Sequence, residues 1–356
     1  MTQLIEAKPH YPFVTKLLID LYNNGELPNV SSVIIEPTYG YAGRITYPNG
    51  QVHIFRSTNL GVNRLGASEI SKDKGYTKFF LRQLGYKTPE GEIFLMPDYL
   101  YRIERNLLRL GFDAQQRSAD QAINYVESTF GYPCYAKPNF GSQGRGIMRC
   151  EDPSDLEEAI REFQRKGQKL FLVEQAVNMP DFRIVCFGDE VISCYQRIPL
   201  MVTGNGRSTI DELLGEKQRV FFEQGRDEII DVHDVRMLAK LRRNGLDITS
   251  VLTTGQNFTL LDVSNLSMGG ESAEFTHLVH QRWKTLAIDI TRDMGLNLCG
   301  VDIACTDLKS PSSDYSIFEV NAAPGLDNYA ASGTEQFQRV RELYKKVFNE
   351  LVKKPN

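Results

Sequence analysis

The feature that most constrains this chain is a glycine-dense turn enclosed by two apolar runs. In PCYAKPNFGSQGRGIMRC, the run PCYAKPNF reads as a strand carrying Lys137. Gly141, Gly144 and Gly146 then flank Ser142, Gln143 and Arg145, and GIMRC resumes as a second strand. A helix candidate, SADQAINYVESTFG, precedes the pair and stops at Gly131, giving the order helix, strand, tight loop, strand. Such a loop can turn successive backbone N–H groups toward an anion, and Lys137 adds a point charge for phosphate oxygens. It is not the phosphate loop that ends in Gly-Lys-Ser/Thr, because no such triplet follows and the chain continues as a strand rather than a helix. Taken alone, an ordinary hairpin reads the same.

A second constellation lies in the apolar runs GVDIACT and YSIFEVNAAPG. Val301 and Ile303 share one strand face and Asp302 points to the other, while Glu319 and Asn321, two apart, share a face. Two carboxylates and an amide on neighbouring strands suit Mg²⁺ held jointly with nucleotide phosphates. Polar residues facing solvent would explain Asp302 alone, but fit poorly a Glu-Val-Asn-Ala-Ala-Pro-Gly run that ends a hydrophobic strand. The third constellation is LFLVEQAVNMPDFRIV, a strand that leaves through a proline-marked turn and re-enters as another strand. Its exit can offer free backbone groups to an adenine edge, with Glu174 and Asp181 available for polar contacts; a plain surface turn reads similarly.

Length and charge narrow the setting. A chain of 356 residues has material for two or three packed units. The net charge of −4 is small and its basic residues are scattered, which argues against a nucleic-acid surface. No stretch approaches the roughly 20 apolar residues that span a bilayer, and the first residues lack the apolar core of a signal peptide, so a soluble, cytoplasmic protein is expected. The six cysteines lie mostly in strand-like apolar runs without a Cys-x-x-Cys pair and read as reduced core residues. Their spacing with His233, His277 and His280 matches no common zinc motif. Strands alternate with helices such as EDPSDLEEAIREFQRKG, whose acidic start and basic end suit the helix dipole, and the mixture is α+β in character.

In their order these elements resemble the ATP-grasp ligases, and within them the ATP-grasp regions of cyanophycin synthetases and bifunctional glutathione synthetases. The matching stretches are SKDKGYTKFFLRQLGYKTPEG, YAKPNFGSQGRGI, VEQAVNMPDFRIVCFGDEVISCYQRIP, VTGNGRSTIDELL, NLSMGG and GVDIACTD with FEVNAAPGL, spanning roughly residues 66 to 330, about three quarters of the chain. The resemblance implies an α+β ATP-grasp fold with the ATP site between two α+β subdomains. Its units would be a small N-terminal α/β piece (1–68), a central subdomain with the glycine lid (69–176) and a C-terminal subdomain with the magnesium site (177–350).

Residue by residue, the resemblance makes Lys74 and Lys137 phosphate contacts and the loop at 140–146, with Gly141, Ser142, Gln143 and Gly144, a mobile lid. Glu174 and Val177 would form the adenine hinge, Asp181 would meet the ribose, and Asp302, Glu319 and Asn321 would hold the metal. Arg197, acting with Lys137, would steady an acyl phosphate and the tetrahedral intermediate; Arg183 is a further contact or a plain strand arginine. The NLSMGG loop would lie at the acceptor end.

The activity implied is ATP-dependent joining of a carboxylate to an amine through an acyl phosphate, with ATP and Mg²⁺ (or Mn²⁺) as cofactors and amino acids or small peptides as partners. No nucleic acid or membrane enters, and a homo-oligomer stays open as a further partner. A phosphotransferase and a non-catalytic ATP-binding regulatory module are the alternatives. No side-chain nucleophile is needed, and His53 and His280 read as structural or surface residues. Because nothing here matches the second, Mur-ligase-like domain of cyanophycin synthetases, a two-step polymerase is not expected. Residues 1–68 and the charged insert at 215–245 are left unassigned as the parts expected to set substrate choice, although the insert also reads as a solvated face.

Overall fold

The computed structural model describes residues 4–109, 117–226 and 229–350. Two positions of the charged insert, Asp227 and Glu228, and the end of the last helix candidate therefore lie outside the described residues.

The chain opens with helix α1 (Phe13–Asn23), which the sequence reading did not anticipate, and a three-stranded antiparallel meander, β1 (Ser32–Ile35), β2 (Ala42–Thr46) and β3 (Val52–Arg56). Helices α2 (Leu65–Lys72) and α3 (Lys74–Gln83) follow, Asp73 capping α3 by accepting from the N–H of Tyr76 at 2.9 Å. The central unit comprises β4 (Gly91–Leu95), α4 (Pro97–Arg109), α5 (Gln121–Thr129), β5 (Cys134–Pro138), β6 (Met148–Cys150), α6 (Pro153–Arg165) and β7 (Leu170–Gln175). Its strands form an antiparallel sheet in the order β4-β7-β5-β6. One face is covered by α5 and α6, through Ala122, Val126, Leu156, Ala159 and Phe163.

The C-terminal part contains β8 (Asp181–Phe187), β9 (Glu190–Ile198), β10 (Met201–Thr203), α7 (Ile210–Glu223), α8 (Val235–Arg243), β11 (Asn257–Thr259), β12 (Glu271–Glu274), α9 (Gln281–Asp293), β13 (Leu298–Cys305), β14 (Tyr315–Asn321), α10 (Asp327–Ala331) and α11 (Thr334–Glu350). Five of these strands form an antiparallel sheet in the order β12-β9-β8-β13-β14.

Strand alternation explains how the layers stack on this sheet. On β8, Phe182, Ile184 and Cys186 face α9, packing with Trp283, Ala287 and Ile290. Val185 and Phe187 face the other way, into a core shared with Leu18 and Leu21 of α1 and with Tyr344 and Phe348 of α11. The N-terminal piece thus shares its core with the C-terminal sheet and last helix instead of forming a separate unit. Asn63 fastens the two further: its side chain donates to the carbonyls of Leu298 and Ala322 at 2.8 and 2.6 Å and accepts from the N–H of Asn297 and Leu298 at 2.6 and 3.0 Å.

The charged insert is not merely a solvated face. Phe221 of α7 and Met237 and Leu241 of α8 are buried in a core with β10, β11 and Leu260. All six cysteines are free and buried, as expected. No helix among the described residues is long and apolar enough to cross a membrane.

Candidate active site

Facing surfaces of the four- and five-stranded sheets line a cleft of about 170 Å³, bordered by every phosphate, adenine, ribose, metal and acyl-phosphate residue named from the sequence, whereas of the NLSMGG turn only Asn265 reaches it. The glycine loop supplies its roof. The loop is anchored at its base to the start of α3, where the N–H of Lys74 reaches the carbonyl of Asn139 at 3.2 Å and that of Gly75 the Asn139 side chain at 3.0 Å. Lys74 itself donates from Nζ to the carbonyl of Gly141 at 3.1 Å. Within the loop Gln143 has φ of +61°, a left-handed conformation that costs a non-glycine residue energy. Gly144 is required: at φ +68° an added Cβ would come within 2.9 Å of Val263 and 3.1 Å of the Met268 sulfur.

The floor on the central side is a buried cluster of one carboxylate and two ammonium groups. Glu174, on β7, is bonded by Lys137 of β5 and by Lys78 of α3, the latter at 2.9 Å. Burial works to raise the Glu174 carboxyl, but the two lysines outweigh it and hold the group at about 2. Burial likewise opposes the Lys137 charge, and Glu174 outweighs it, so Lys137 titrates above its ordinary range. Glu174 therefore reaches the cleft as the anchor of Lys137, with both oxygens engaged, and not as a free carboxylate beside Val177. Lys78 was missed in the sequence, although its spacing of four from Lys74 puts the two on one helix face.

Across the cleft, strand register assembles a second cluster. Asp302 pairs with Arg183 on one side and Glu319 on the other, Arg183 pairs with Tyr195, and two residues along Asp181 pairs with Arg197. Register partners on neighbouring strands share a face, as do residues two apart on one strand, so these groups meet. Arg183 grips Asp302 with a two-pronged bond, Nε to Oδ1 at 2.7 Å and Nη2 to Oδ2 at 2.8 Å. Arg197 bonds Asp302 at 2.9 Å and both oxygens of Asp181 at 2.8 and 2.9 Å. Burial pushes the Asp181 carboxyl up to about 6 against the pull of Arg197, with the Asp302 charge adding to the rise. The guanidinium groups hold Asp302 below the ordinary carboxylate range despite burial.

Asp302 is thus fully buried and doubly paired rather than solvent-facing. Glu319 is more open, its side chain 27% exposed with Lys74 at 3.8 Å, and Asn321 donates to Asp302 at 3.3 Å. Among the described residues no set of three or more His, Cys, Asp and Glu side chains gathers as for a metal ion. The trio of two carboxylates and one amide is nonetheless a hard-oxygen donor set of the kind magnesium takes with phosphates, with Glu319 turned toward the cleft.

Two arginines of the insert, also unforeseen, brace the roof and the NLSMGG turn. Arg236 donates from Nη1 to the carbonyls of Gly144 and Ile147 at 3.1 and 3.3 Å. Arg226 donates to the carbonyls of Leu266 and Gly270 at 2.7 and 3.0 Å, fixing the NLSMGG turn. Gly270 is needed there, since a Cβ would sit 2.7 Å from the carbonyl oxygens of Asn265 and Ile198. No local sequence signal points to these braces, because donor and acceptor lie up to 92 residues apart.

With this geometry in view, the comparisons with known proteins are decisive for the fold. Residues 233–341 match the RimK-like ATP-grasp domain. A bifunctional glutathione synthetase from Pasteurella multocida superposes over 95% of the chain and 45% of its own length with a TM-score of 0.58, at 21% identity. The chain has an ATP-grasp fold. Cyanophycin synthetase of Trichormus variabilis is 31% identical over 268 residues, 74% of this chain and 27% of that protein. The glutathione biosynthesis bifunctional protein GshAB of Mannheimia succiniciproducens is 30% identical over 234 residues, 61% of this chain and 31% of that protein. The chain spans less than a third of the length of either relative.

Proposed function

We propose that this ATP-grasp domain is a carboxylate–amine ligase acting on amino acids or small peptides and releasing ADP and phosphate. One observation carries the reading: Lys74, Lys137, the glycine roof, Glu319, Asn321 and Arg197 border a single cleft that opens into a larger cavity able to take a second substrate. The names of the relatives, cyanophycin synthetase and a glutathione biosynthesis protein, agree with amide-forming chemistry.

In the proposed reaction a carboxylate oxygen of the first substrate attacks the γ-phosphorus of ATP, and the bond to the bridging oxygen breaks to release ADP. The amine nitrogen of the second substrate then attacks the acyl-phosphate carbon. The tetrahedral intermediate collapses by expelling phosphate, and the nitrogen loses a proton. Lys74 and Lys137 bind the phosphate oxygens; Lys137, titrating high, acts as a fixed positive charge and not as a base. Arg197 lies where negative charge builds on the acyl phosphate, and the glycine roof excludes the water that would hydrolyse it. Magnesium, or manganese in its place, would be held by Asp302, Glu319 and Asn321 and would supply neutralisation of phosphate charge.

Positioning and electrostatics carry the catalysis, with no covalent enzyme intermediate. The buried cysteines fit this, burial pushing the Cys186 thiol up to about 12. Six free cysteines also accord with the reducing cytoplasm, where we place the protein.

The test is ADP release from purified protein with paired carboxylates and amines, products being read by mass spectrometry. ADP together with an amide, only when both partners are present, is the expected result. A stable phosphorylated product formed without amine would replace the reading with a phosphotransferase. ATP binding without turnover across the panel would leave a regulatory module.

A further inference from the structure

The nucleotide cleft continues into a second cavity of about 690 Å³, and Ser142, Gln143, Arg183, Arg197, Asn265 and Asn321 border both. Its far wall comes from the N-terminal piece, one of the parts expected to set substrate choice: residues 10–14, Lys16, Tyr41 and the Ser57–Thr58 turn. The volume falls in the range that encloses a drug-sized ligand, roughly 300–1,000 Å³, which suits a peptide better than one amino acid.

The chemistry of that wall is uneven. At the near end the positive charges of Arg183 and Arg197 are matched by Asp302 and Asp181. At the far end Lys16 makes no ion pair among the described residues, its ammonium donating to the carbonyl of Pro9 at 3.2 Å. His10 beside it contacts the Thr38 carbonyl at 2.8 Å, and Asp327 is the one carboxylate among the described lining residues. The wall is also held in a strained form. Ser57 has φ of +50°, and its N–H is fixed to the carbonyl of Tyr41 at 2.8 Å. Non-glycine residues held in this region cluster at ligand-clamping sites.

We propose that this N-terminal wall is the recognition surface for the carboxylate substrate, that the substrate is an acidic peptide, and that Lys16 reads a second carboxylate distant from the reacting one. The assignment of the reacting end rests on the ligase reading; binding at Lys16 does not. The specificity of the ATP-grasp domain is on this view supplied from outside the nucleotide cleft, by a segment that packs onto the same face of the C-terminal sheet that carries Arg183 and Arg197.

The test is calorimetric titration of the full chain, with a non-hydrolysable ATP analogue present, using Asp-Ala, Glu-Ala, Asp-Ala-Ala and Glu-Ala-Ala against their Asn and Gln counterparts and free Asp and Glu. At least one acidic peptide is expected to bind about tenfold or more tighter than its amide counterpart and than the free amino acids. Lys16→Ala and Lys16→Gln should each abolish that preference, Lys16→Arg should keep it, and ATP affinity and melting temperature should hold in all three. Equal affinity for acid and amide peptides, no binding of any acidic peptide, or a preference that survives in both Lys16→Ala and Lys16→Gln would overturn the proposal. Because the readout is binding, a failure of the ligase reading shows separately, as the absence of ADP and amide in the turnover assay.

Discussion

Two buried charge clusters face the same cleft and are built on opposite principles. Below the glycine roof one carboxylate, Glu174, lies between two ammonium groups, Lys78 and Lys137. On the opposing sheet two carboxylates, Asp181 and Asp302, interlock with two guanidinium groups, Arg183 and Arg197. With both lysines protonated the first cluster carries a net positive charge, burial lowering Lys78 against the pull of Glu174, and the second closes on itself. The carboxyl groups register the difference: against burial, the lysines hold Glu174 at about 2, whereas burial and a neighbouring carboxylate lift Asp181 to about 6 despite Arg197. The lysine cluster is therefore ready to receive an anion such as a polyphosphate. The arginine cluster is a neutral, rigid frame in which any new anion or cation must compete with an existing partner.

The contrast is most severely tested by Asp302→Ala. Removing the carboxylate leaves two buried guanidinium groups short of a partner, and stability should fall by about 3–5 kcal/mol in urea denaturation. A loss below about 1 kcal/mol would mean the arginines relax to solvent and the frame is not rigid. Next in size is Glu319→Gln, which keeps the fold, since Glu319 is partly exposed and its one ion pair among the described residues is long at 3.8 Å. ADP release should drop by about 100-fold or more with an unchanged melting temperature; unaltered turnover would remove Glu319 from the site. Smaller again is Lys78→Met. Lys137 still satisfies Glu174, so the cost should be about 1–3 kcal/mol. A loss equal to that of Asp302→Ala would erase the distinction between the two clusters.

How much of this was legible follows from the same clusters. The glycine roof, Lys137 and the Asp302, Glu319 and Asn321 trio were readable because each lies in one local run whose strand period fixes its face. Their convergence was readable only through the order of motifs. What stayed hidden depends on contacts far apart in the chain. The capture of Glu174 by Lys78 spans 96 residues and the seam closed by Asn63 spans 259. The pairing of Arg183 and Arg197 with Asp302 required the order β9-β8-β13, which no local pattern states. Helix α1 escaped notice for a different reason: its polar stripe is narrow, only Lys16, Asp20 and Asn23 at helical spacing, and its cap residue, Pro12, makes no side-chain bond.

The smallest effect sharpens the comparison from the side of pH. Asp181 titrates at about 6 in the folded chain against 3.8 for the unperturbed group, so the native state binds this proton more tightly than the unfolded one. A group raised in this way contributes stability that is complete below about pH 4 and is lost as pH rises through about 6. Asp181→Asn removes the titration. The stability of the wild type minus that of the variant should accordingly be most favourable near pH 4 and decline toward pH 7, measured by urea denaturation across that window. Glu174→Gln should behave in the opposite sense, because a carboxyl held at about 2 contributes stability that is present above its ordinary value of 4.5 and disappears as pH falls toward 2. Parallel profiles for the two variants would show that one balance of burial and pairing governs both clusters, and a charge-neutral frame could then no longer be set against a positively charged receptor.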